Sequence, residues 1–470
     1  MWVRLVVSLL SLAALVGSGL AWAAYQNISA KIGHGASLPK YTGADVDGAA
    51  QNILLLGNDS REGASAAELK ALGTTQDGGS IATDTIMLLH IPSGKGHPTI
   101  VSFPRDSWVS IPGYGKAKIN AAYSDGYGSA KGSGADETAS ENKGILVLND
   151  TIQSLTGLHI DHYMQVNLLG FYRISQAIGG VDICLNAAQN ASTDSDGFGH
   201  GYSGINLPAG RSVIEGTQAL AFVRQRHGLP RGDLDRIRRQ QYFLSAAFKK
   251  IASAGVLLNP FKLNALVDAV SSSVVTDPGL NLAQLAMQFQ DLAAGNITFT
   301  TIPNNGTQMI YPDGVPTSVV SIDQAGITGF INVLQGKPAD PDLAAVAASD
   351  PGTSTVDVLN ATSVAGLATR NAGALKKLGF HVDTVDSADQ LPKTTIEYPA
   401  GARAEAKALQ AAVPGAVMQL TSSVDRATLL LGGNDVQVSG LSVPAPAATA
   451  APAATPASPA SNAATAACIN

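Results

Sequence analysis

Three short stretches of this sequence place carboxylates and arginines at the ends of predicted strands. Asp59 and Arg61 follow an apolar run, Asp84 opens the next strand, and Arg105 and Asp106 follow a third. Two neighbouring carboxylates form a hard-oxygen site that suits Mg²⁺, which keeps several waters and accepts phosphate oxygens as further ligands. A nearby arginine would bind an anionic oxygen of the same ligand. Taken singly, each stretch is also compatible with an ordinary surface turn.

A fourth stretch is richer in positive charge. Six arginines fall within residues 224–239, in a chain of 470 residues with a formal net charge of −6. Arg224 and Arg226, two apart on a segment predicted to be extended, project to one side. Arg236 and Gln240, four apart, share a helix face near the helix N-terminus, where the dipole favours anions. Because guanidinium forks bind phosphate oxygens bidentately, this stretch predicts a polyanion or pyrophosphate site.

The alternatives for this stretch are a solvated basic helix, a nucleic-acid surface or a membrane patch. The negative net charge argues against nucleic acid, whose binders normally carry a basic surplus. No single helix face explains the alternation of Arg224, Gln225 and Arg226. Lys118 and Asn120 add a cation and an amide donor downstream of Arg105. The sequence has no recognisable Ser-His-Asp arrangement, P-loop or cysteine nucleophile, so it gives no support for covalent catalysis.

The elements that must position these residues alternate between strands and helices, which is typical of an α/β fold with helices layered on a sheet. Apolar runs predict strands at residues 51–57, 85–91, 99–103, 162–168, 181–185 and 297–302. Helical spacing predicts helices at residues 144–155, 169–178, 212–224 and 234–253. Two stretches rich in glycine and small residues, 62–80 and 124–143, are predicted to be loops.

Composition divides the chain into a large and a small domain. Residues 51–336 are predicted to form the catalytic domain, and 355–436 a small βαβαβ domain. Residues 337–354, rich in Pro, Ala and Asp, are predicted to link them. The Pro/Ala/Thr-rich tail at 437–470 lacks the side chains for a core and is predicted to be disordered.

The N-terminal segment predicts export. Residues 5–24 carry no charge and as a helix would span about 30 Å, one hydrocarbon thickness. The length of this run favours an uncleaved anchor, with residues 1–4 cytoplasmic and 25–50 forming an external linker. The alternative is a removable signal peptide, because residues 21–23 (Ala-Trp-Ala) fit a cleavage site. Under either interpretation the rest of the chain lies outside the membrane.

The two cysteines, Cys184 and Cys468, are too few for a disulfide framework and too far apart for a zinc motif. Export permits oxidation. We therefore expect a disulfide between them that joins the C-terminal tail to the catalytic domain. The alternative is that Cys184 is a buried apolar residue and Cys468 is free.

Taken in their order along the chain, the aspartate and arginine motifs described above resemble those of the LytR–CpsA–Psr family of cell-wall glycopolymer transferases. The resemblance covers about residues 50–335 and runs through 52–61, 83–91, 101–113, 118–123, 170–185 and 220–241. Residues 356–432 resemble the accessory domain often found in this family. The resemblance implies an αβα-layered domain outside the membrane. That domain transfers a glycopolymer from a polyprenyl-pyrophosphate carrier to peptidoglycan.

The resemblance also implies roles for particular residues. Asp59 and Asp84 would bind Mg²⁺, with Mn²⁺ as an alternative, and the loop between them would project outward so that they meet. The pyrophosphate would be bound by Arg61, Arg105, Lys118, Asn120, Arg224, Arg226, Asp233, Arg236 and Gln240. Charge neutralisation at the phosphates would carry most of the catalysis. The catalytic residues would be Asp84, Arg105 and Asp106, with the base either Asp84 or Asp106.

The carrier lipid would require an apolar tunnel, and the sequence offers Val166, Leu169, Phe171 and Ile174 as lining residues. An Ala/Gly-rich composition suggests a high-GC Gram-positive source, which makes arabinogalactan a plausible polymer. Two other functions stay open at this point. One is a pyrophosphatase acting on the same lipid, and the other is a non-catalytic regulatory or lipid-binding protein of the cell envelope.

Overall fold

The computed structural model describes most of the two predicted domains. The described residues are 33–39, 50–59, 64–72, 83–93, 97–194, 203–253, 268, 274–280, 285, 297–389, 391, 393–439, 461–462 and 468–470. The predicted anchor at 5–24 and the predicted ligand Arg61 lie outside them. Within the described part of the chain, no helix combines the length and apolarity needed to cross a membrane.

The first domain is built on one mixed sheet. In chain order its strands are β1 (Gly33–His34), β2 (Gln51–Asn58), β3 (Thr83–Ile91), β4 (Thr99–Phe103), β5 (Trp108–Ile111), β6 (Gly115–Lys118), β7 (His162–Asn167), β8 (Val181–Leu185), β9 (Gly210–Ile214), β10 (Val274–Thr276), β11 (Thr298–Thr301), β12 (Asn304–Ile310) and β13 (Thr317–Ile322). The described strands of the main sheet run β1-β10-β7-β2-β3-β4-β11, and residues 461–462 pair with β11 at its edge. β5–β6, β8–β9 and β12–β13 form separate antiparallel pairs.

Helices cover both faces of this sheet. They are α1 (Ala66–Ala71), α2 (Ala121–Gly132), α3 (Glu137–Thr156), α4 (Leu168–Ala177), α5 (Gly216–Arg224), α6 (Asp233–Ser253) and α7 (Gln324–Leu334). Leu54 and Leu88 face α2 and α3 in one core. Ile53 and Leu89, on the opposite face of the same strands, belong to a second core against which side chains of α6 pack. Alternation along each strand thus buries both faces, and the predicted α/β layering is confirmed.

The stretch 124–143, predicted to be a loop, is mostly helical, which corrects the sequence prediction. It contains most of α2 and the first turns of α3, whose N-cap Asp136 accepts a hydrogen bond from the N–H of Ala139 at 2.8 Å. Gly126, one of the glycines that suggested a loop, is a packing position between the two helices, as is Gly144 just beyond the stretch. A Cβ on Gly126 would lie 2.7 Å from the Lys143 carbonyl oxygen, and one on Gly144 would lie 2.8 Å from the Tyr123 carbonyl oxygen.

Two further boundaries differ from the sequence prediction. The segment predicted as one helix at 212–224 begins in strand β9, which pairs with β8, and α5 starts only at Gly216. The hairpin β12–β13 was not predicted, since its polar residues lack a clear apolar alternation. Within 62–80, described in part, residues Ala66–Ala71 form α1 behind a capping box of Ser65 and Glu68.

The second domain has its own sheet and core. Its elements are β14 (Thr355–Asn360), α8 (Leu367–Lys377), β15 (His381–Ser387), β16 (Thr395–Tyr398), α9 (Arg403–Ala412), β17 (Val417–Leu420) and β18 (Thr428–Leu431). The strand order is β15-β14-β18-β16-β17. The βαβαβ prediction is therefore incomplete. It missed β16 and β17, four-residue strands that each include a charged or amide side chain, whereas the equally short β18 is a nearly continuous apolar run.

The predicted linker at 337–354 packs against the second domain. Residues 341–345 and 351–353 form 3₁₀ turns. The Lys407 ammonium on α9 donates to the carbonyl oxygens of Leu343, Ala344 and Val346 at 3.2, 3.1 and 2.6 Å. Because these carbonyls are bound by a side chain of α9, this stretch is folded onto the domain that it precedes.

Candidate functional site

The two predicted metal ligands lie at one edge of the main sheet. β2 and β3 are antiparallel, with Gly57 opposite Thr85 and Asn58 opposite Thr83. Asp59, just after β2, and Asp84, at the start of β3, therefore lie at neighbouring strand ends. A Cβ on Gly57 would lie 2.9 Å from the Thr85 Cβ, so only glycine allows this close strand pairing beside the site.

Arg105 follows β4 at the same edge and lies among three carboxylates. Its Nη1 donates to Asp84 Oδ1 at 2.9 Å, and its Nε lies 3.6 Å from Asp233 Oδ1 and 3.8 Å from Asp106 Oδ2. Burial disfavours the charged guanidinium, but the charges of Asp84, Asp233 and Asp106 outweigh burial and raise the pKa of Arg105. Arg105 is therefore a fixed cation that connects the strand ends to helix α6.

Helix α6 presents Arg236 and Gln240 to this edge. The Arg236 side chain is 8% exposed, and its Nη2 lies 2.5 Å from Asp233 Oδ1. Burial lowers the pKa of Arg236 despite the favourable charge of Asp233. Gln240 Nε2 donates to Thr85 Oγ1 at 3.2 Å, so α6 contacts the strand that carries Asp84.

Arg224, Gln225 and Arg226 alternate between exposed and buried in the structure, although Arg224 is the last residue of α5. Gln225 is extended, with φ −58° and ψ 132°. The two arginines are exposed, whereas Gln225 between them is fully buried. Arg224 Nη2 lies 3.6 Å from Asp59 Oδ2. Residues 224–226, the arginine segment, therefore lie opposite the aspartate at the end of β2.

These side chains line one end of a cavity of about 560 Å³. The site residues in its lining are Asp59, Asp84, Arg105, Arg224, Arg226, Arg236 and Gln240. From Thr85 to Leu89 the cavity follows β3 away from the strand ends, over about 14 Å at the usual rise per residue. Its wall there is apolar and includes Met87, Leu89, Met164, Val166, Phe171, Ile174, Phe243 and Phe248.

Three of the four predicted tunnel residues line this cavity: Val166, Phe171 and Ile174. Leu169 does not line it. It is 1% exposed and belongs to the core between α4, α5 and α6. Consecutive positions on α4 point to different sides of the helix, so the face carrying Phe171 and Ile174 meets the cavity while Leu169 packs in the core.

Four predicted site residues lie behind the cavity lining. Lys118 Nζ is 2.8 Å from Asp106 Oδ1, and the Asp106 carboxylate also approaches Arg105. Asp233 contacts Arg105 and Arg236. Asn120 is linked to the site through its backbone, whose N–H donates to the Arg105 carbonyl oxygen at 3.2 Å. These residues surround Arg105 and hold it in place.

Sequence reasoning missed several polar residues of the lining: Asn58, Thr85, Asn167, Asp194, Ser203 and His227. Asn167 had a recognisable signal, because it caps α4 by accepting a hydrogen bond from the N–H of Gly170 at 2.7 Å. Asp194 accepts hydrogen bonds from Ser203 through Oδ2. Sequence spacing alone does not connect Asp194 or Ser203 to the strand ends.

The pair Asp59 and Asp84 meets the requirements of Mg²⁺ in part. Mg²⁺ commonly takes one or two carboxylates and completes its shell with waters and substrate phosphates. Among the described residues, no group of three or more His, Cys, Asp or Glu side chains could hold a metal ion. In that part of the chain, the two aspartates therefore suit a cation that shares its ligands with a bound phosphate.

The predicted disulfide between Cys184 on β8 and Cys468 is confirmed in the structure. Ile469 pairs with Leu185 in a parallel bridge. Residues 468–470 therefore form part of the first domain, although the preceding tail is low in complexity.

Comparison with known proteins tests the family resemblance drawn from the motifs. The profile of the LytR_cpsA_psr family matches residues 24–328. The chain belongs to the LytR–CpsA–Psr family. This confirms the resemblance drawn from the motifs. A second profile, described as LytR cell envelope-related transcriptional attenuator, matches residues 353–438 and overlaps the small domain.

Relatives of this LytR–CpsA–Psr protein include two curated proteins. LcpA of Corynebacterium glutamicum, named a cell wall biosynthesis protein, is 36% identical over 455 residues, 91% of this chain and 85% of LcpA. TagU of Oceanobacillus iheyensis, named a polyisoprenyl-teichoic acid–peptidoglycan teichoic acid transferase, is 33% identical over 257 residues, 55% of this chain and 68% of TagU. Among solved structures, TagV of B. subtilis is 21% identical with a TM-score of 0.44, covering 61% of this chain and 98% of TagV.

Proposed function

We propose that this protein transfers a glycopolymer from a polyprenyl-pyrophosphate carrier to peptidoglycan. The observation that carries the proposal is that one cavity combines an arginine-lined end at the strand edge with an apolar interior. A lipid pyrophosphate has the same division between a doubly charged head and an apolar chain. The printed name of TagU, which includes a polyisoprenyl donor and a peptidoglycan acceptor, supports the same donor and acceptor classes here.

The arginines of the cavity supply the binding energy for the phosphates in this proposal. Arg224 and Arg226 are exposed at the cavity, and Arg105 and Arg236 are held by carboxylates on its inner side. The Nε atoms of Arg105 and Arg236 are buried and make no hydrogen bond to the described residues. We assign the four arginines of the cavity lining, with Gln240, to the pyrophosphate, because charge-assisted hydrogen bonds in a dry site are strong.

We propose that Asp59 and Asp84 hold Mg²⁺, with Mn²⁺ as an alternative. The cation would supply Lewis-acid stabilisation of the charge that develops on the phosphate oxygens. The cavity lining carries four arginines against Asp59, Asp84 and Asp194, a formal excess of one positive charge. A pyrophosphate diester carries two negative charges, so the occupied lining would have a net charge of −1 without the cation and +1 with it.

The reaction is a phosphoryl transfer in this proposal. A peptidoglycan hydroxyl attacks the phosphorus that bears the glycan, the bond from that phosphorus to the bridging oxygen breaks, and polyprenyl phosphate leaves. Asp84 takes the hydroxyl proton, because it lines the cavity whereas Asp106 is bound by Lys118 behind it. Arg105, in contact with Asp84 at 2.9 Å, orients this carboxylate and stabilises the negative charge of the phosphates.

The proposed location is the outer face of the cell membrane, with residues 5–24 as a single-pass anchor. The Cys184–Cys468 disulfide supports an oxidising compartment outside the cytoplasm. An anchored domain would meet a lipid-linked donor in the membrane on one side and the peptidoglycan acceptor on the other.

The deciding experiment combines the purified protein with a polyprenyl-pyrophosphate-linked glycan, peptidoglycan fragments and Mg²⁺, with an arabinogalactan donor assayed first. Mass spectrometry would follow three products. Glycan joined to peptidoglycan through a phosphodiester, together with polyprenyl phosphate, supports the transferase. Free glycan phosphate in equal yield with or without acceptor would indicate a pyrophosphatase instead. Tight lipid binding with no turnover would indicate a regulatory or lipid-binding protein.

A further inference from the structure

The segment Cys468–Asn470 is built into the wall behind the arginine segment. Its disulfide joins it to Cys184, and Ile469 is 6% exposed in the core between α4, α5 and α6. Backbone bonds fix it on both sides. The Ile469 N–H donates to the Cys184 carbonyl at 3.0 Å, and its own carbonyl accepts from the N–H of Asn186 at 2.8 Å. This short segment is therefore fixed by a disulfide and by backbone hydrogen bonds of the kind that join strands. Cys468 is 284 residues away from Cys184 in sequence.

Arg239 on α6 connects this segment to the site. Its side chain is fully buried and lies over the Phe222 ring, with Cζ 5.0 Å from the ring centroid. Its Nε donates to the Asn470 main-chain oxygen at 2.8 Å, and its Nη1 donates to Gln225 Oε1. Burial lowers its pKa to about 10, against the opposing charges of Asp235 and Asp194. Two of the three guanidinium nitrogens are therefore bonded to oxygens on different segments, which fixes the position of the side chain, while the buried Nη2 makes no hydrogen bond to the described residues.

Gln225, the other end of this connection, lies between the two exposed arginines of the cavity. Its Nε2 donates to Gln189 Oε1 at 2.9 Å and to the His227 carbonyl oxygen at 3.2 Å. With Arg239 on its Oε1, every polar atom of this amide has a partner. Holding the Gln225 side chain inward fixes the backbone where α5 ends, and so sets the direction in which its neighbours Arg224 and Arg226 project.

We propose that Arg239 and Gln225 are positioning residues that couple the disulfide-anchored segment Cys468–Asn470 to the phosphate-binding arginines Arg224 and Arg226. The proposal rests on the proposed function, since it assumes that these arginines bind the carrier pyrophosphate. Side chains that bind phosphate bidentately need an orientation fixed within narrow limits. The buried chain from Asn470 through Arg239 to Gln225 provides that orientation from outside the cavity.

The experiment measures binding of geranylgeranyl pyrophosphate to the full chain by calorimetry, together with steady-state transfer kinetics. Gln225→Met and Arg239→Met each raise the Kd about fivefold to tenfold and raise KM for the donor more than they lower kcat. Arg239→Lys keeps the charge but reaches only one of the two oxygens, so it restores binding only in part. Because the two residues act as one chain, the double variant binds no worse than the weaker single variant.

A matched control separates positioning from general destabilisation. Asn52 is fully buried at the opposite end of β2 and bonds the His159 carbonyl oxygen and His90, each at 2.8 Å. Asn52→Leu lowers the melting temperature but leaves the Kd for geranylgeranyl pyrophosphate within twofold of wild type. Cys468→Ser, which releases the segment, raises that Kd in the same direction as Arg239→Met.

The outcomes distinguish this inference from the proposed function. If wild-type protein and Arg224→Ala both fail to bind the probe, the carrier proposal is wrong and the coupling has no meaning. If wild type binds, Arg224→Ala does not, and Gln225→Met and Arg239→Met bind like wild type, the coupling alone is overturned. Additive effects in the double variant, or a Kd change in Asn52→Leu equal to that in Arg239→Met, would also overturn it.

Discussion

Each domain of this molecule contains a cluster in which arginine lies beside two or more aspartates. The two clusters have similar composition but differ in their hydrogen bonds. In the second domain, Arg403 donates through Nε to Asp340 at 2.8 Å, through Nη1 to the Ala400 carbonyl at 3.1 Å and through Nη2 to Asp342 at 3.3 Å. Each of its three nitrogens has an acceptor. In the first domain, the buried Nε atoms of Arg105 and Arg236 make no hydrogen bond to the described residues.

The difference indicates which cluster is built for a ligand. The Arg403 guanidinium is satisfied by its own domain, whereas a buried donor without an acceptor costs about 1–3 kcal/mol. The cluster around Arg105 leaves donors unmatched and lies beside a cavity, whereas Arg403 fastens the linker residue Asp340 to α9. We therefore expect changes in the first cluster to appear in binding and transfer, and changes in the second to appear in stability.

The largest effect is expected from the carboxylates proposed to hold the metal. Asp59→Ala and Asp84→Ala each lower the transfer rate about 10²–10³-fold and remove its dependence on Mg²⁺, because Lewis-acid stabilisation is worth several kcal/mol. Some binding of the lipid pyrophosphate remains, since the arginines are intact. Rates measured against Mg²⁺ concentration provide the check. Retention of the wild-type Mg²⁺ dependence in both variants would exclude this pair as the metal site.

The next effect is expected from the exposed arginines. Arg224→Lys and Arg226→Lys keep the charge but lose the planar fork, and each loses about 1.5–3 kcal/mol of pyrophosphate binding, roughly tenfold to a hundredfold in Kd. Thermal unfolding is nearly unchanged because both side chains are exposed. Calorimetric titration with geranylgeranyl pyrophosphate measures the change. On a simple solvated basic patch, lysine would replace arginine freely and salt would screen the remaining binding.

The structural cluster is expected to give the opposite pattern. Arg403→Met leaves the buried Asp340 carboxylate with the Tyr398 hydroxyl at 3.3 Å as its remaining side-chain partner. The loss of the guanidinium contacts lowers the free energy of unfolding by about 1–2 kcal/mol. Transfer per folded molecule stays at the wild-type level. Arg370→Met, at an exposed arginine of the same domain, is the matched control. A drop in donor affinity in Arg403→Met would contradict the division between the two clusters.

Much of the site in the first domain was accessible from the sequence, but not all of it. The strand ends carrying Asp59, Asp84 and Arg105 could be predicted because each follows or opens a short apolar run. The rear wall could not, since Phe243 on α6 has the helical spacing of any core residue. The close packing that Gly126 provides was mistaken for a loop, because a glycine-rich composition does not distinguish a turn from a tight contact between helices.

The smallest effect, a change in the pH dependence of stability, is expected at His162 on β7. This residue forms an ion pair with Asp277 outside both clusters. Its Nδ1 lies 3.0 Å from Asp277 Oδ2, and Asp277 Oδ1 accepts from the N–H of Tyr163 at 3.1 Å. The hydrogen bond that His162 donates to Asp277 is the main cause that raises the pKa of His162 above its ordinary value of 6.5, against the opposing effect of burial. The charged form is thus the one that the folded state favours.

A raised pKa in the folded state fixes the sign of the pH dependence. The stabilisation is complete below pH 6.5, the pKa in the unfolded chain, and is lost as the pH rises through the higher folded-state value. Its size is about 1 kcal/mol or less, as for other partly exposed ion pairs. His162→Asn therefore flattens this decline in unfolding free energy, measured in urea from pH 5.5 upward, while His97→Asn, at an exposed histidine, leaves it unchanged. Donor affinity stays constant in both variants, because this pair lies outside the cavity lining. A pH profile of His162→Asn that overlays the wild-type profile would show that the pair contributes nothing to folding.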